Sequence, residues 1–171
     1  MAIFPLSVFP NQHWFGGCGF GAKREHSGIK RYHAGCDLVT KEGHDVLAVT
    51  SGIVQEARPF HISYLPQLHL FQVVIKHPMF IARYCELGRI AEGIHKGVKI
   101  SEGQVIGYVG KLTHNAMLHF EMYKGDARGS LTDAKNSANY AYVPTLNYMR
   151  RSDLLDPTLY LDMWCASVSG R

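Results

Sequence analysis

Residues 117–123 read MLHFEMY, and the alternation in this stretch decides the fold. Successive side chains of a strand point to opposite faces. Leu118, Phe120 and Met122 therefore share one face, and Met117, His119, Glu121 and Tyr123 share the other. A face of Leu, Phe and Met belongs in a core, which turns His119 toward a groove or solvent. Outward from this stretch, strand-like segments recur at short spacing: Val46–Gln55, Leu70–His77, Phe80–Leu87, Gln104–Gly110 and Leu118–Tyr123. Each is rich in β-branched or aromatic residues and bounded by turn formers. Only Pro78 and Met79 separate the second segment from the third, which reads as a hairpin. The run GVKISEGQVIGYVG at 97–110 has the glycine punctuation of strands that turn tightly. One helix candidate, Asp126–Asn139, contains Gly129 and Asn136 and reads better as a loop. The expected fold is all-β and mainly antiparallel, with longer loops at Ala57–His69 and Lys124–Tyr148.

Composition narrows the class. The 171 residues suit one domain, and 46% hydrophobic against 19% charged residues excludes a disordered chain. No apolar stretch is long enough for a helical membrane span. Lys and Arg number 18 against 14 Asp and Glu, a net charge of +4 that suits an anionic polymer, whether nucleic acid or cell wall. The basic aromatic stripe of a nucleic-acid stacking platform is missing, so nucleic acid is not an expected partner. Cys18, Cys36, Cys85 and Cys165 lie far apart with no CxxC pair, which disfavours a thiolate zinc site and a dense disulfide scaffold. Partly buried thiols are expected, with one disulfide on export as the alternative. The apolar N-terminus has no Lys or Arg before Lys23 and is broken by Pro5 and Pro10, so no cleavable signal is expected.

The segment RYHAGCDL at 31–38 sets His33 and Asp37 four residues apart around Gly35. Together with His119 they supply two imidazoles and one carboxylate. A catalytic Zn²⁺ uses such a set when it keeps a fourth position for water. Neither the HxxxD spacing nor a single His specifies a metal alone, because both occur often by chance.

The ordered series FGAKR, RYHAGCDL, GHDVLAVTSGIV, a hairpin ending RYCEL, VKISEGQVIGYVG and MLHFEMY resembles the lysostaphin-like (LytM-type) zinc metallopeptidases over about Phe15–Tyr123. The later stretch DLLDPTLYL is similar to the close of many such domains. The resemblance implies a β-sandwich with a zinc-containing groove, one Zn²⁺ per chain and hydrolysis of peptide cross-links in bacterial peptidoglycan. By position it assigns His33, Asp37 and His119 as zinc ligands. The chain then reads as a single LytM-like domain over 1–171, with a motif-bearing core at about 15–123 and a C-terminal loop and extension at 124–171. Two positions depart from the family pattern. Glu86 in RYCEL and Met117 stand where the family has the histidines that activate water and stabilise the transition state.

Glu86 is the expected general base, because a carboxylate takes this role in other zinc peptidases. Met117 neither donates a hydrogen bond nor accepts a proton, so either a donor from elsewhere supplies that function, with His114 and Tyr84 as the candidates, or the rate is lower. Arg83 and Tyr84, beside the ligand segments, are candidates for binding substrate. His13, His26, His44, His61, His69, His77 and His95 read as ordinary surface histidines of loops and strand ends. The functional expectation is a zinc-dependent peptidoglycan endopeptidase, acting as an antibacterial effector or lytic enzyme. It would be made in the cytoplasm and reach the periplasm or cell wall by specialised export or lysis. An effector of this kind would need an immunity or inhibitor protein in the producing cell. The rival from a different class is a non-catalytic peptidoglycan-binding or activator module that retains the zinc site.

Overall fold

The computed structural model describes residues 2–26, 29–61, 69–112, 114–127, 140–143 and 148–166. Its strands are β1 (Lys23–His26), β2 (Ile29–Tyr32), β3 (Cys36–Thr40), β4 (Asp45–Leu47), β5 (Gly52–His61), β6 (Leu70–Lys76) and β7 (Phe80–Ile90). They continue as β8 (Lys99–Ile100), β9 (Val105–Leu112), β10 (Asn115–Lys124), β11 (Tyr140–Val143), β12 (Tyr148–Arg151) and β13 (Leu154–Leu155), and a helix α1 (Thr158–Ala166) follows. A nine-stranded sheet runs β13-β10-β9-β7-β6-β5-β8, with β3 also paired to β10 and β4 to β9. A smaller four-stranded sheet runs β1-β2-β12-β11. Strand pairing is antiparallel apart from β2 with β12. No helix among the described residues is long and apolar enough to cross a membrane.

The alternation read in MLHFEMY holds along β10. Leu118, Phe120 and Met122 are fully buried in the main core with Leu38, Val73, Ile75, Tyr84 and Leu87. The opposite face is not simply open, however, because Glu121 and Tyr123 are buried as well. The hairpin expected around Pro78 and Met79 is β6–β7, closed by His77 N–H donating to Phe80 O at 2.9 Å.

Several expectations are corrected. Val46–Gln55 is not one strand: β4 ends at Leu47 and β5 begins at Gly52. The chain turns between them, where Ala48 bonds back to Gln104 O. The loop placed at Ala57–His69 is strand up to His61, because Ala57, Arg58 and Pro59 pair with β6; residues 62–68 lie outside the described ones. Within Lys124–Tyr148, β11 is a strand, while most of the Asp126–Asn139 candidate helix lies outside the described residues. His77 is buried, not a surface histidine; it bonds Ser51 O and the Tyr84 hydroxyl. The thiols of Cys36, Cys85 and Cys165 are buried and free, and Cys18 is half-buried and free.

Helix α1 buries Leu161, Trp164 and Cys165 against the core, and the Trp164 ring meets Phe120 edge-on at 6.2 Å. Its start has a local cause. Asp156 Oδ1 accepts from Thr158 N–H at 2.9 Å, and Pro157, which cannot donate, immediately precedes the helix and accepts from Leu161 N–H at 2.9 Å.

One contact ties the fold to the site. A Cβ on Gly35 would lie 2.1 Å from the carbonyl oxygen of Phe120, so only glycine lets the chain entering β3 lie flush on β10. That approach sets the β3–β10 register, in which Asp37 stands opposite His119. Gly35→Ala is expected to cost about 3 kcal/mol, at the upper end of overpacking, and to lower Tm by roughly 6–12 °C. An unchanged melting curve would show that the two strands can part without cost.

Candidate metal centre

His33 ends the chain's path out of β2, Asp37 lies in β3, and His119 lies in β10. The β3–β10 pairing brings the last two together, and a short crossing from β2 brings the first. His33 Nε2 lies 3.1 Å from Asp37 Oδ1 and 3.1 Å from His119 Nδ1. His119 Nδ1 lies 2.8 Å from the same Asp37 oxygen. The three side chains keep small exposures of 7%, 14% and 13%, so the cluster has an opening but little water around it.

The surrounding hydrogen bonds fix the tautomers. His33 Nδ1 donates to Gly19 O at 2.8 Å, which leaves Nε2 with its lone pair toward the cluster. His119 Nε2 donates to Glu121 Oε1 at 2.8 Å, which leaves Nδ1 as the inward lone pair. With both imidazoles neutral, three acceptor atoms thus converge with no proton to share. This arrangement is stable only with a positive charge at its centre, either a proton or a cation. Ligands about 2.1 Å from a tetrahedral zinc lie roughly 3.4 Å apart. The observed spacing of 2.8–3.1 Å is slightly tighter, so the residues fit a zinc ion after a small outward shift.

Electrostatics agree with this reading. Burial alone would depress the His119 pKa, but hydrogen bonds and charge from Asp37 and Glu121 raise it to about 9. Burial alone would raise Asp37, yet His119 and His33 hold its carboxyl well below the usual carboxylate range. In the absence of metal, a proton on His119 takes the central position.

Behind His119 lies a buried polar network that sequence reading did not single out. Arg83 Nη1 donates to both Glu121 carboxylate oxygens at 2.9 and 2.8 Å, and Tyr123 Oη donates to Oε2. Arg83 also donates to Gln72 Oε1 through Nε and Nη2 at 3.0 and 2.9 Å. Gln72 Nε2 in turn donates to Glu56 Oε2 at 3.0 Å. Arg83 stands directly opposite Glu121, and Cys85 opposite His119, across the β7–β10 ladder. Burial would raise the Glu121 pKa, but the Arg83 charge and the His119 bond keep it far below normal. Glu121 is therefore an anion locked in one orientation. The available signal was Glu121 two residues beyond His119 on one face, with Arg83 in a neighbouring strand. Orienting partners of this kind hold a ligand imidazole in place.

The other expected site residues fall in different places. Glu86 is the extra residue of a β-bulge. Gln72 pairs with Cys85 and Phe71 with Leu87, so Glu86 has no partner on β6. Its backbone is left-handed, with φ 65°, which breaks the alternation that would have sent it into the core with Tyr84. Its carboxyl lies close enough to His119 and Asp37 to feel both charges, and burial raises its pKa. Tyr84 is corrected: it is fully buried on the core face, accepts from Val49 N–H at 3.1 Å and stacks edge-on against Phe120. Arg83 is corrected as well, since its guanidinium is buried and turned to Glu121 and Gln72, which take four of its five N–H donors, away from any substrate. His114 is exposed in the turn between β9 and β10, five residues before His119. Met117 stands on the His119 face and is half-buried. Arg24, unremarked in the sequence, places Nη2 at 3.3 Å from Asp37 Oδ2 and at 2.6 Å from Gly17 O.

Two outcomes follow from this geometry. Glu121→Gln should weaken zinc binding about 10–100-fold, measured by competition with a chromophoric chelator while circular dichroism confirms the fold. Unchanged affinity would remove Glu121 from the site. Zinc must also displace the His119 proton, whose pKa without metal is about 9. Apparent affinity should rise about tenfold per pH unit through neutral pH and level off above that value, with about one proton released per ion at pH 7. Calorimetry in buffers of different ionisation enthalpy reads the proton count.

Comparison with known proteins places this geometry. A zinc-containing peptidase from Vibrio cholerae is 28% identical over 73% of this chain, with a TM-score of 0.56. This chain spans about 37% of that protein's length. The catalytic domain of the antimicrobial peptidase lysostaphin from Staphylococcus simulans shares the fold, with 20% identity, a TM-score of 0.53 and coverage of 84% of this chain and 89% of that one. LytU is similar in fold at 24% identity and a TM-score of 0.53, covering 89% and 90% of the two chains. No curated protein sequence matches the chain. The model of peptidase family M23 matches residues 31–133, more than half of the chain and the part that holds His33, Asp37, Glu86 and His119. The chain therefore belongs to this family of LytM-type zinc metallopeptidases, whose members are peptidoglycan hydrolases.

Proposed function

We propose that this domain is a zinc-dependent endopeptidase that hydrolyses stem-peptide cross-links of peptidoglycan, and so works in the periplasm or cell wall. The observation that carries this reading is the convergence of His33 Nε2, Asp37 Oδ1 and His119 Nδ1 within 3.1 Å of one another. Zinc held by these atoms would polarise the scissile carbonyl and acidify a water molecule. Glu86 acts as the general base. Its carboxylate takes a proton from the attacking water as the oxygen bonds to the carbonyl carbon. It then returns that proton to the leaving amine nitrogen as the C–N bond breaks. A raised carboxyl pKa suits both halves of this exchange. The left-handed backbone at Glu86 supports the role: a non-glycine residue there carries strain of about 1–3 kcal/mol, and such strain clusters at functional sites.

A second reading, a non-catalytic wall-binding or activator module that keeps the metal, draws on Met117. This residue faces the site with neither a donor nor a base. Incubation of the zinc-loaded protein with purified sacculi separates the two readings. Released muropeptides that vanish with chelator support the enzyme, whereas pelleting without release supports the module.

His119→Ala should abolish zinc binding and release together. Glu86→Ala should retain one zinc per chain and lose roughly 10²–10⁴-fold in turnover. Glu86→Gly should be as inactive as the alanine variant yet at least as stable as the parent, by up to about 1 kcal/mol, because glycine adopts positive φ without strain. Wild-type turnover in either zinc-loaded variant would remove Glu86 from the mechanism.

A further inference from the structure

The β1–β2 ribbon carries a pairing that the fold does not need. Arg24 and Arg31 stand directly opposite each other, and like charges so placed weaken a ladder. Thr or Val at either position would pair better. The ladder continues past the strand ends, since His33 N–H donates to Ala22 O at 2.7 Å and Gly21 N–H donates to His33 O at 2.9 Å. Alternation therefore sets Arg24, Arg31 and His33 on one face, the face that presents His33 to the cluster. Arg24 reaches Asp37 Oδ2 at 3.3 Å. Arg31 is exposed and makes no ion pair among the described residues. Glu25 offers no neutralisation there, because it stands opposite Lys30 on the other face.

Two guanidiniums on the His33 face of a ribbon, with no acid among the described residues to absorb Arg31, complement an anion brought from outside. Guanidinium forks favour planar carboxylates. Arg31 and His33 are two residues apart, about 6.6 Å of strand. That distance matches the reach from a scissile carbonyl to a substituent on the adjoining residue.

We infer that Arg24 and Arg31 form a carboxylate subsite that selects cross-linked peptides with a free carboxylate next to the scissile bond. Arg31 supplies the free fork, and Arg24, anchored on Gly17 O and Asp37, supplies charge and orientation. Amidation of that carboxylate would remove the charge and leave the guanidiniums without a partner. This inference rests on the peptidase reading for the identity of the ligand, and it is tested without turnover.

The probe is a cross-linked stem-peptide analogue with a CH₂–NH group in place of the scissile amide, made as free acid and as carboxamide. Calorimetry with zinc-loaded protein should show the acid binding about tenfold more tightly than the amide, with the preference shrinking as salt rises. Arg31→Gln should bring the two affinities within about twofold while zinc content stays at one per chain. Equal affinities in the wild type, no binding of the acid at millimolar concentration, or a full preference in Arg31→Gln would each overturn the subsite. The sacculus assay fails separately. Muropeptide release without acid preference leaves the peptidase reading standing and the subsite refuted. Acid preference without release leaves the subsite standing and the peptidase reading refuted.

Discussion

Lone pairs that point at one another repel, and the centre of this molecule is built on that repulsion. His33 Nε2, Asp37 Oδ1 and His119 Nδ1 are pressed together by two outer acceptors, Gly19 O and Glu121 Oε1, which claim the imidazole protons. The cost is met by whatever cation occupies the middle. The outer acceptors are themselves held: Gly19 by the short helical turn that bonds it to Gly16 O, and Glu121 by Arg83 and Tyr123. Removal of one partner of such a buried pair leaves an uncompensated charge, which costs about 3–5 kcal/mol. The network therefore supports the fold and the ligand geometry together.

The sheet has to serve an apolar core and a polar site on opposite faces of the same strands. Along β10 strict alternation suffices, with Phe120 inward and His119 outward. Along β7 it does not, because Tyr84 and Leu87 both belong to the core although three positions separate them. The bulge at Glu86 absorbs the odd residue and frees its carboxyl from the core. One inserted residue reconciles the packing of β7 with the needs of the site.

This explains which parts of the site could be read from the chain. His33, Asp37 and His119 were legible together only through the ordered series of segments that resembles the family, because HxxxD spacing and a lone strand histidine do not specify a metal by themselves. The β6–β7 hairpin and the core face of β10 were legible from strand periodicity, which is a local pattern. The placement of Tyr84 was misread because period-2 alternation assigns Tyr84 and Glu86 the same face, and a bulge leaves no mark in composition. Arg83 was misread because its partner lies 38 residues away on a strand whose pairing the sequence does not state. Helix α1 escaped because apolar residues lie all around it, with Leu159 and Met163 exposed and Leu161 and Trp164 buried, and so show little periodicity, although Asp156 and Pro157 marked its start. Arg24 reaches the centre through a ribbon whose register depends on tertiary docking.

The single parallel contact, Met149 beside Arg31, sets an order in time. His33 and His119 are 86 residues apart, and β12, which backs the β1–β2 ribbon, comes later still. As the chain leaves the ribosome, His33 and its ribbon wait for their partners while the next 86 residues are made. The closure entropy of that long span is recovered only when β10 and β12 arrive. A nascent chain halted before Asn115 has no metal grip at all, and one halted before Tyr148 has a grip whose N-terminal wall is unbacked. Any ion held by these three residues therefore waits on the arrival of β10, and its backed N-terminal wall on β12.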